Sequence, residues 1–326
     1  MESESKKLIS SISIGLEKLG DKRYGEKVEE DLVSSIKNNA INCSHLIYCD
    51  TAEIYGLNKS EVLLGEISQL VGREKFHIST KIGLTYKYEN EKIVTYRYFD
   101  DYQIQKSLEE SCKRLISPPN RIYLHWPHPD NAEITLNCLG KLVIFANQLG
   151  IKEIGICNIS IKQPLITLEK LRDLGVNTVQ ERINLLTRKL GFIDKAKRLN
   201  FRIVSHSSFA QGILSSSSKE VIEESSGQEF PKFLNTKQYE YEWVNNINSL
   251  IQEYAEKLKK NPEEVIVACQ KRILGNNSEM IIGVKHKRHI DPIFGRLNSA
   301  EIDEINFSQI LEKLEKYQFE PRLPNH

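Results

Sequence analysis

The chain has 326 residues, and its 45 Lys and Arg against 44 Asp and Glu give a formal net charge of +1. That balance removes the electrostatic footprint of a nucleic-acid binder, and 40% hydrophobic with 27% charged residues excludes wholesale disorder. No apolar run approaches the roughly 20 residues of a membrane helix, and the N-terminus MESESKKLISS lacks a secretory apolar stretch, so a cytoplasmic protein without a membrane partner is expected.

Short, continuously apolar runs recur along the chain: ISIGL (12–16), SHLIYCD (44–50), FHISTK (76–81), RIYLHW (121–126), EIGICN (153–158), NTVQERIN (177–184), RIVSH (202–206) and EMIIGV (279–284). Runs of this kind fit parallel strands covered on both faces. Helical periodicity separates them, over 28–38, 60–71, 103–115, 133–149, 186–199 and 242–259. Ser160 with Gln163 reads as a capping box opening a helix over 161–172. Asn261-Pro262-Glu263 supplies an N-cap, a proline at the first helical position and a first-turn acid for 262–274. Asn298 with Glu301 predicts the start of a last helix running to about Tyr317.

Eight strands alternating with helices predict a single α/β domain, a (β/α)8 TIM barrel over 12–320 between polar tails at 1–11 and 321–326. An open doubly wound sheet is the competing architecture. Long loops are expected after the third and seventh runs. The first, 84–101, carries four tyrosines; the second, 213–238, holds a serine run and no clear periodicity. Cys43, Cys49, Cys112, Cys138, Cys157 and Cys269 form no C-x-x-C pair and read as reduced thiols rather than a disulfide frame or zinc site.

Polar residues stand at the ends of these apolar runs: Asp50, Lys81, His125, Asn158 and His206, with Gln180 inside the sixth. In a barrel these ends converge on the catalytic face. Any one of them alone has a structural reading, Asp50 as a helix cap and His125 as a core histidine; six in successive strands form a constellation. An Asp, a Lys and a His so placed suit three chemistries. A Schiff-base aldolase would use a lysine of lowered pKa, for which Lys81 is the candidate. A metal hydrolase would need His and carboxylate ligands, and the prolines within His125–Asp130 oppose their alignment. Carbonyl reduction would need a proton donor, and Tyr55 in 50-DTAEIYG-56 follows the second run. An ammonium beside a phenol lowers its pKa, and a carboxylate holds the ammonium in place; Lys81 and Asp50 provide that pair.

The chain resembles the aldo-keto reductases in 50-DTAEIYG-56, 60-SEVLLGE-66, 78-ISTKIG-83, 121-RIYLHWP-127, 154-IGICN-158, 179-VQERINLL-186 and 203-IVSHSSFAQGIL-214. The resemblance runs from about residue 12 to 317. It implies a barrel that binds NADPH without a Rossmann domain, which accounts for the absence of a G-x-G-x-x-G fingerprint. It implies Tyr55 as general acid/base, Lys81 and Asp50 as the pair that tunes it, and His125 as the substrate-orienting group. By the same resemblance Asn158 and Gln180 bond the nicotinamide carboxamide, and His206 stands where an aromatic ring usually stacks. Ser207, Phe209 and Gln211 then lie along the pyrophosphate. Gly283 begins the segment after the eighth run, where Lys285, Lys287, Arg288 and His289 form a basic cluster suited to a 2′-phosphate, favouring NADPH over NADH.

Four positions depart from the family pattern. Cys157 replaces a serine, which weakens a hydrogen bond; His206 brings an imidazole that can titrate near neutral pH; Ser208, in Ser207-Ser208-Phe209, stands where the family usually has a proline; and Ile293 cannot bond adenine. Trp126 belongs to the expected substrate wall, to which Tyr86, Tyr88, Tyr96 and Tyr98 could add, whereas Trp243 reads as helix packing. The expected function is reduction of an aldehyde or ketone to an alcohol, with a small-molecule carbonyl partner and a monomer or weak homo-oligomer. The alternative is an NADPH-binding regulatory or sensor subunit.

Overall fold

The computed structural model describes residues 11–21, 25–89, 92–159, 165–215 and 238–316. Its strands are β1 (Ser11–Gly15), β2 (Ile47–Asp50), β3 (Phe76–Ile82), β4 (Leu84–Glu89), β5 (Lys92–Arg97), β6 (Arg121–Leu124), β7 (Glu153–Cys157), β8 (Thr178–Arg182), β9 (Arg202–His206) and β10 (Ser278–Gly283). Eight of them close a parallel barrel in the order β1-β10-β9-β8-β7-β6-β3-β2, and β4 and β5 form a separate antiparallel pair. The closed barrel replaces the open sheet as the solution to burying both strand faces. Of the expected tails, only Ser11 is described, and it opens β1.

The outward strand residues, among them Ile14, Cys49, Ile78, Ile122, Ile156, Val179, Ile203 and Ile282, join the helices in one continuous core. This two-sided burial is why the strands read as unbroken apolar runs. The barrel's interior is layered, as alternation along parallel strands requires. Tyr123, Cys157, Val204 and Ile281 fill its middle.

Beneath that plug lies a buried ionic cluster. Arg121 bonds Glu279 at 2.9 Å and Glu153 at 2.6 Å; Arg202 reaches Glu279 at 3.5 Å, and His77 meets Glu153 at 3.1 Å. Arg121 and Glu279 are wholly buried. Above the plug stand Asp50, Lys81, Gln180 and His125, all buried near the strand C-termini.

Helix ends follow the local chemistry. Asn261 and Glu264 make the capping box of helix Pro262–Leu274, at the predicted bounds. Several expected boundaries shift, and the local chemistry of three is plain. Helix Leu190–Arg198 begins later than residue 186, because the Asn184 side chain accepts from the Leu186 and Thr187 N–H groups at 2.9 Å and holds a turn there. The last helix spans Glu304–Glu315, since Asp303 rather than Asn298 caps it by accepting from the Asn306 N–H. The helix after β7 is Leu168–Asp173, capped by Thr167; the anticipated Ser160–Gln163 box lies outside the described residues.

The segment 84–101 is not a structureless loop: β4 and β5 pair from Leu84–Arg97 to Glu89–Lys92. Most of 213–238 lies outside the described residues, as does the side chain of Trp243.

The lower ionic cluster generates a stability prediction. Burial would raise both carboxyl pKa values. Arg121 and Arg202 nevertheless hold Glu279 below the usual range, and the His77 and Arg121 contacts hold Glu153 at about 2. Carboxyls depressed on folding stabilise above their unfolded pKa and lose that contribution as pH falls through the folded value. Stability should therefore drop between about pH 4.5 and pH 2. Replacing Glu279 by Ala leaves Arg202 without its carboxylate and Arg121 with Glu153 alone, and is expected to cost about 3–5 kcal/mol, read from urea denaturation at pH 7.

Candidate active site

β2 ends at Asp50, and the chain then makes a turn over 53–58 before helix Lys59–Val71. Backbone bonds tie this turn to the neighbouring strand, Thr51 N–H to Ser79 O at 2.9 Å and Glu53 N–H to Lys81 O at 3.0 Å. Gly56, Leu57 and Asn58 all have positive φ, and a Cβ on Gly56 would stand 2.7 Å from the Gly20 backbone. Glycine is therefore required at position 56, both for conformation and for approach. The turn brings Tyr55 back over the barrel mouth.

There Lys81 Nζ donates to Asp50 Oδ1 and to the Thr51 carbonyl at 2.8 Å, and lies 3.4 Å from the Tyr55 hydroxyl. Gln180 Nε2 donates to the other Asp50 oxygen at 2.9 Å. The Tyr55 and His125 rings meet edge to face at 5.8 Å. The four residues expected to share the site thus form one cluster.

Burial would lower the Lys81 pKa, but Asp50 and Tyr55 hold it above its ordinary value. A Schiff-base lysine needs the opposite shift, so the aldolase alternative loses its support. For Tyr55 the order of effects differs from the sequence argument. Burial raises its pKa, and the opposing Lys81 charge does not overcome it, so the phenol is protonated at neutral pH. His125 is pushed well below its usual value by burial, with Lys81, His206 and Arg97 adding to the shift. Its imidazole is neutral, and its buried Nδ1 has no hydrogen-bond partner.

Around this cluster lie the residues anticipated for a cofactor. Asn158 adopts a left-handed conformation that asparagine tolerates, donates to the His125 carbonyl at 3.2 Å and faces His206 Nε2 at 3.2 Å. The other ring nitrogen of His206 meets Ser207 Oγ at 3.1 Å. His206 does not titrate near neutrality: burial, followed by Arg182 and Lys189, lowers its pKa to about 3. Cys157 Sγ keeps a weak bond to Gln180 Oε1 at 3.4 Å. Phe209 packs half-buried on the core. The side chain of Gln211 lies outside the described residues.

Gly283 ends β10 exposed, with open space where a Cβ would stand. Lys285 and His289 are half-buried, and Lys287 and Arg288 are exposed on the first turn of helix Lys287–Phe294. His289 adds no charge to the basic cluster. Burial, with His286, Arg288 and Lys285 adding to it, brings its pKa to about 4, and its Nδ1 accepts from the Lys285 N–H at 3.3 Å. Ile293 is buried against the core rather than offered to a ligand.

Two residues escaped the sequence reading. Glu53, inside DTAEIYG, is buried; its carboxylate accepts from the Tyr98 hydroxyl at 2.6 Å and the Leu84 N–H at 3.1 Å. Tyr98 also meets Ser107 at 2.6 Å and accepts from the Gly83 N–H, so it fastens the β4–β5 hairpin to the catalytic turn instead of lining a substrate wall. Tyr88 and Tyr96 are exposed on the hairpin, and Tyr86 packs edge-on against Tyr88. The second residue is Arg97, whose guanidinium lies 5.1 Å from the centre of the Trp126 ring. A carboxylate next to the motif's tyrosine was the available signal for Glu53. Arg97 offered none beyond its charge.

Comparison with known proteins adds a profile match to the Aldo/keto reductase family across residues 11–315. The chain belongs to this family. A probable aldo-keto reductase 1 of Glycine max is 27% identical over 184 residues, 52% of this chain and 49% of that protein. The chain thus spans about half the length of this curated relative. Among solved structures, a glycerol dehydrogenase from Gluconobacter oxydans has a TM-score of 0.74 at 19% identity, covering 98% of this aldo-keto reductase and 95% of its counterpart. The holo form of an aldo-keto reductase from Bacillus halodurans gives 0.71 at 17% identity, with 96% and 95% covered. One from Klebsiella pneumoniae, in complex with NADP and acetate, gives 0.63 at 14% identity, with 97% and 94% covered. These structures share the fold. Among the described residues, no helix of this aldo-keto reductase is long and apolar enough to cross a membrane.

Glu53 yields a pH prediction. Burial raises its pKa to about 7, with the Tyr98 hydrogen bond opposing. A carboxyl raised on folding binds more protons in the native state, so stability should fall as pH rises from about 4.5 to 7. The drop attributable to this group is about 3 kcal/mol at most. Glu53→Gln should flatten that slope, measured by urea denaturation at pH 5, 6, 7 and 8.

Proposed function

We propose that this aldo-keto reductase is an NADPH-dependent carbonyl reductase, converting an aldehyde or ketone to an alcohol with Tyr55 as proton donor. The observation that carries the reading is the buried Asp50–Lys81–Tyr55 chain beneath a neutral His125. A bound nicotinamide supplies the hydride. The Tyr55 hydroxyl, protonated at neutral pH, gives its proton to the substrate oxygen. Lys81 Nζ, 3.4 Å away, then stabilises the phenolate, and Asp50 keeps the ammonium charged and in place. A neutral His125 cannot act as a strong acid, but its ring N–H can donate to the carbonyl oxygen and fix its direction. Tyr55 regains its proton from solvent through the mouth.

The residues that would hold NADPH fit its chemistry. Asn158 and Gln180 present amides for a carboxamide, and Gln180 retains an N–H beyond its bond to Asp50. His206, held neutral, offers an uncharged ring face. Ser207, Phe209 and Gln211 follow it, and Gly283 leaves open space at the rim. Lys285, Lys287 and Arg288 supply positive charge, with His289 as an uncharged donor. Lys287 and Arg288 occupy the first turn of their helix, where like-signed charge meets the positive dipole end and an anion relieves both. The Klebsiella pneumoniae relative, in complex with NADP, supports this choice of cofactor.

Two outcomes are expected. Tyr55→Phe should lower kcat by about 10²–10⁴-fold while NADPH affinity, followed by fluorescence, stays near native; full activity in that variant would overturn the assignment. Lys285→Ala combined with Arg288→Ala should weaken NADPH binding by about tenfold or more and NADH binding far less, compared by titration of both. A carbonyl panel that is never reduced despite tight NADPH binding would favour the sensor reading instead.

A further inference from the structure

From the placement of Arg97 we infer that this enzyme selects carbonyl substrates that carry an anionic group, a carboxylate or phosphate, on the side of the carbonyl facing Trp126. The inference rests on the proposed reductase reading and names the substrate class of the same site.

Arg97 is the last residue of β5, paired with Leu84 across the hairpin. Its guanidinium lies 5.1 Å from the centre of the Trp126 ring, which stands 6.4 Å from the His125 ring, itself 5.8 Å from that of Tyr55. The cation is close enough to the catalytic histidine for its field to help lower the His125 pKa. Arg97, Trp126, His125 and Tyr55 are thus successive neighbours, which puts the cation on the Trp126 side of the place where a carbonyl would lie between Tyr55 and His125.

The guanidinium is half-buried, and among the described residues one of its five N–H donors is used, Nη1 to the Pro127 carbonyl at 3.2 Å. Among the described residues no carboxylate forms an ion pair with it. Asp130 acts on it through space only, and burial outweighs that field. A partly desolvated charge with spare, forked donors favours a planar or tetrahedral oxyanion. Arginines elsewhere in this fold are better occupied: Arg121 has Glu279 and Glu153, Arg114 has Glu61 at 2.6 Å, and Arg73 donates to Ser117, Asn120 and two backbone carbonyls.

Arg97 is also held for the task. Tyr98, its neighbour, is buried with its hydroxyl bonded to Glu53 and Ser107, and its N–H donates to the Gly83 carbonyl. The Trp126 ring adds a cation–π contact to the guanidinium at 5.1 Å. A side chain placed in this way loses less freedom on meeting an anion than one on a free loop.

The test compares size-matched aldehydes that differ in charge. The carboxylate pair is 4-carboxybenzaldehyde against 4-formylbenzamide, and the phosphate pair is glyceraldehyde 3-phosphate against glyceraldehyde. In the native enzyme kcat/KM should favour the anionic member, and the pair with the larger preference identifies which anion is read. Arg97→Leu should cut the anionic-to-neutral ratio by about tenfold or more, with Arg97→Lys in between. A purely structural role would lower both members of each pair and leave the ratio unchanged, which overturns the inference, as does a native enzyme that prefers the neutral members. If no aldehyde is reduced, the reductase reading fails by itself. Calorimetric binding of the same pairs then decides the Arg97 claim, since equal affinity for charged and neutral members in the native protein overturns it.

Discussion

A single ammonium buried in a barrel wall organises this molecule. Lys81 is as deeply buried as Thr80 and Ile82 on either side of it, and an isolated charge there would be strongly disfavoured. Its solvation comes from Asp50, from the Thr51 carbonyl and from the Tyr55 hydroxyl. Each partner in turn dictates backbone. Thr51 must begin its turn at the strand end, and Tyr55 must double back over it, which Gly56 permits by lying against Gly20. Asp50 must be held from its far side, a role filled by Gln180 from across the barrel. The site is what remains once one charge has been accommodated in a place where charge is costly.

The interior solves this problem twice, in opposite directions. Below the plug of Tyr123, Cys157, Val204 and Ile281, charge meets opposite charge, Arg121 pairing with Glu279 and Glu153 and Arg202 with Glu279. Above it, polar groups are left incompletely matched: the His125 ring has no hydrogen-bond partner on Nδ1, and Asn158 and His206 bond each other at the rim. The first arrangement resembles a structural core made of ions. The second resembles a surface waiting for a ligand, and it faces the C-terminal ends of the strands, where barrel enzymes carry their chemistry.

Much of this was legible in the sequence because parallel strands covered on both faces leave unbroken apolar runs, so the polar residue closing each run stands out. Asp50, Lys81, His125 and Asn158 were visible for that reason. The capping box at Asn261 and Glu264 was equally readable, being entirely local. What stayed hidden depends on contacts distant in sequence. Nothing local says that burial outweighs Lys81 in setting the acidity of Tyr55, or that burial, joined by Arg182 and Lys189, keeps His206 neutral. The β4–β5 hairpin did leave a trace, an alternation of Thr85, Tyr86, Lys87 and Tyr88 answered by Ile93, Val94, Thr95 and Tyr96. Both faces of that ribbon are too polar to resemble the barrel strands, and it read as a loop.

That hairpin is joined to the barrel at its base, where Tyr98 is bolted to Glu53 and Ser107, while Tyr88 and Ile93 further out, and Tyr96, lie in solvent. Exposed residues of the ribbon such as Tyr88 and Ile93 can therefore be exchanged without disturbing the alignment of the proton-transfer groups. Such a division lets a lineage explore new substrates by editing an appendage while the reaction centre stays unaltered.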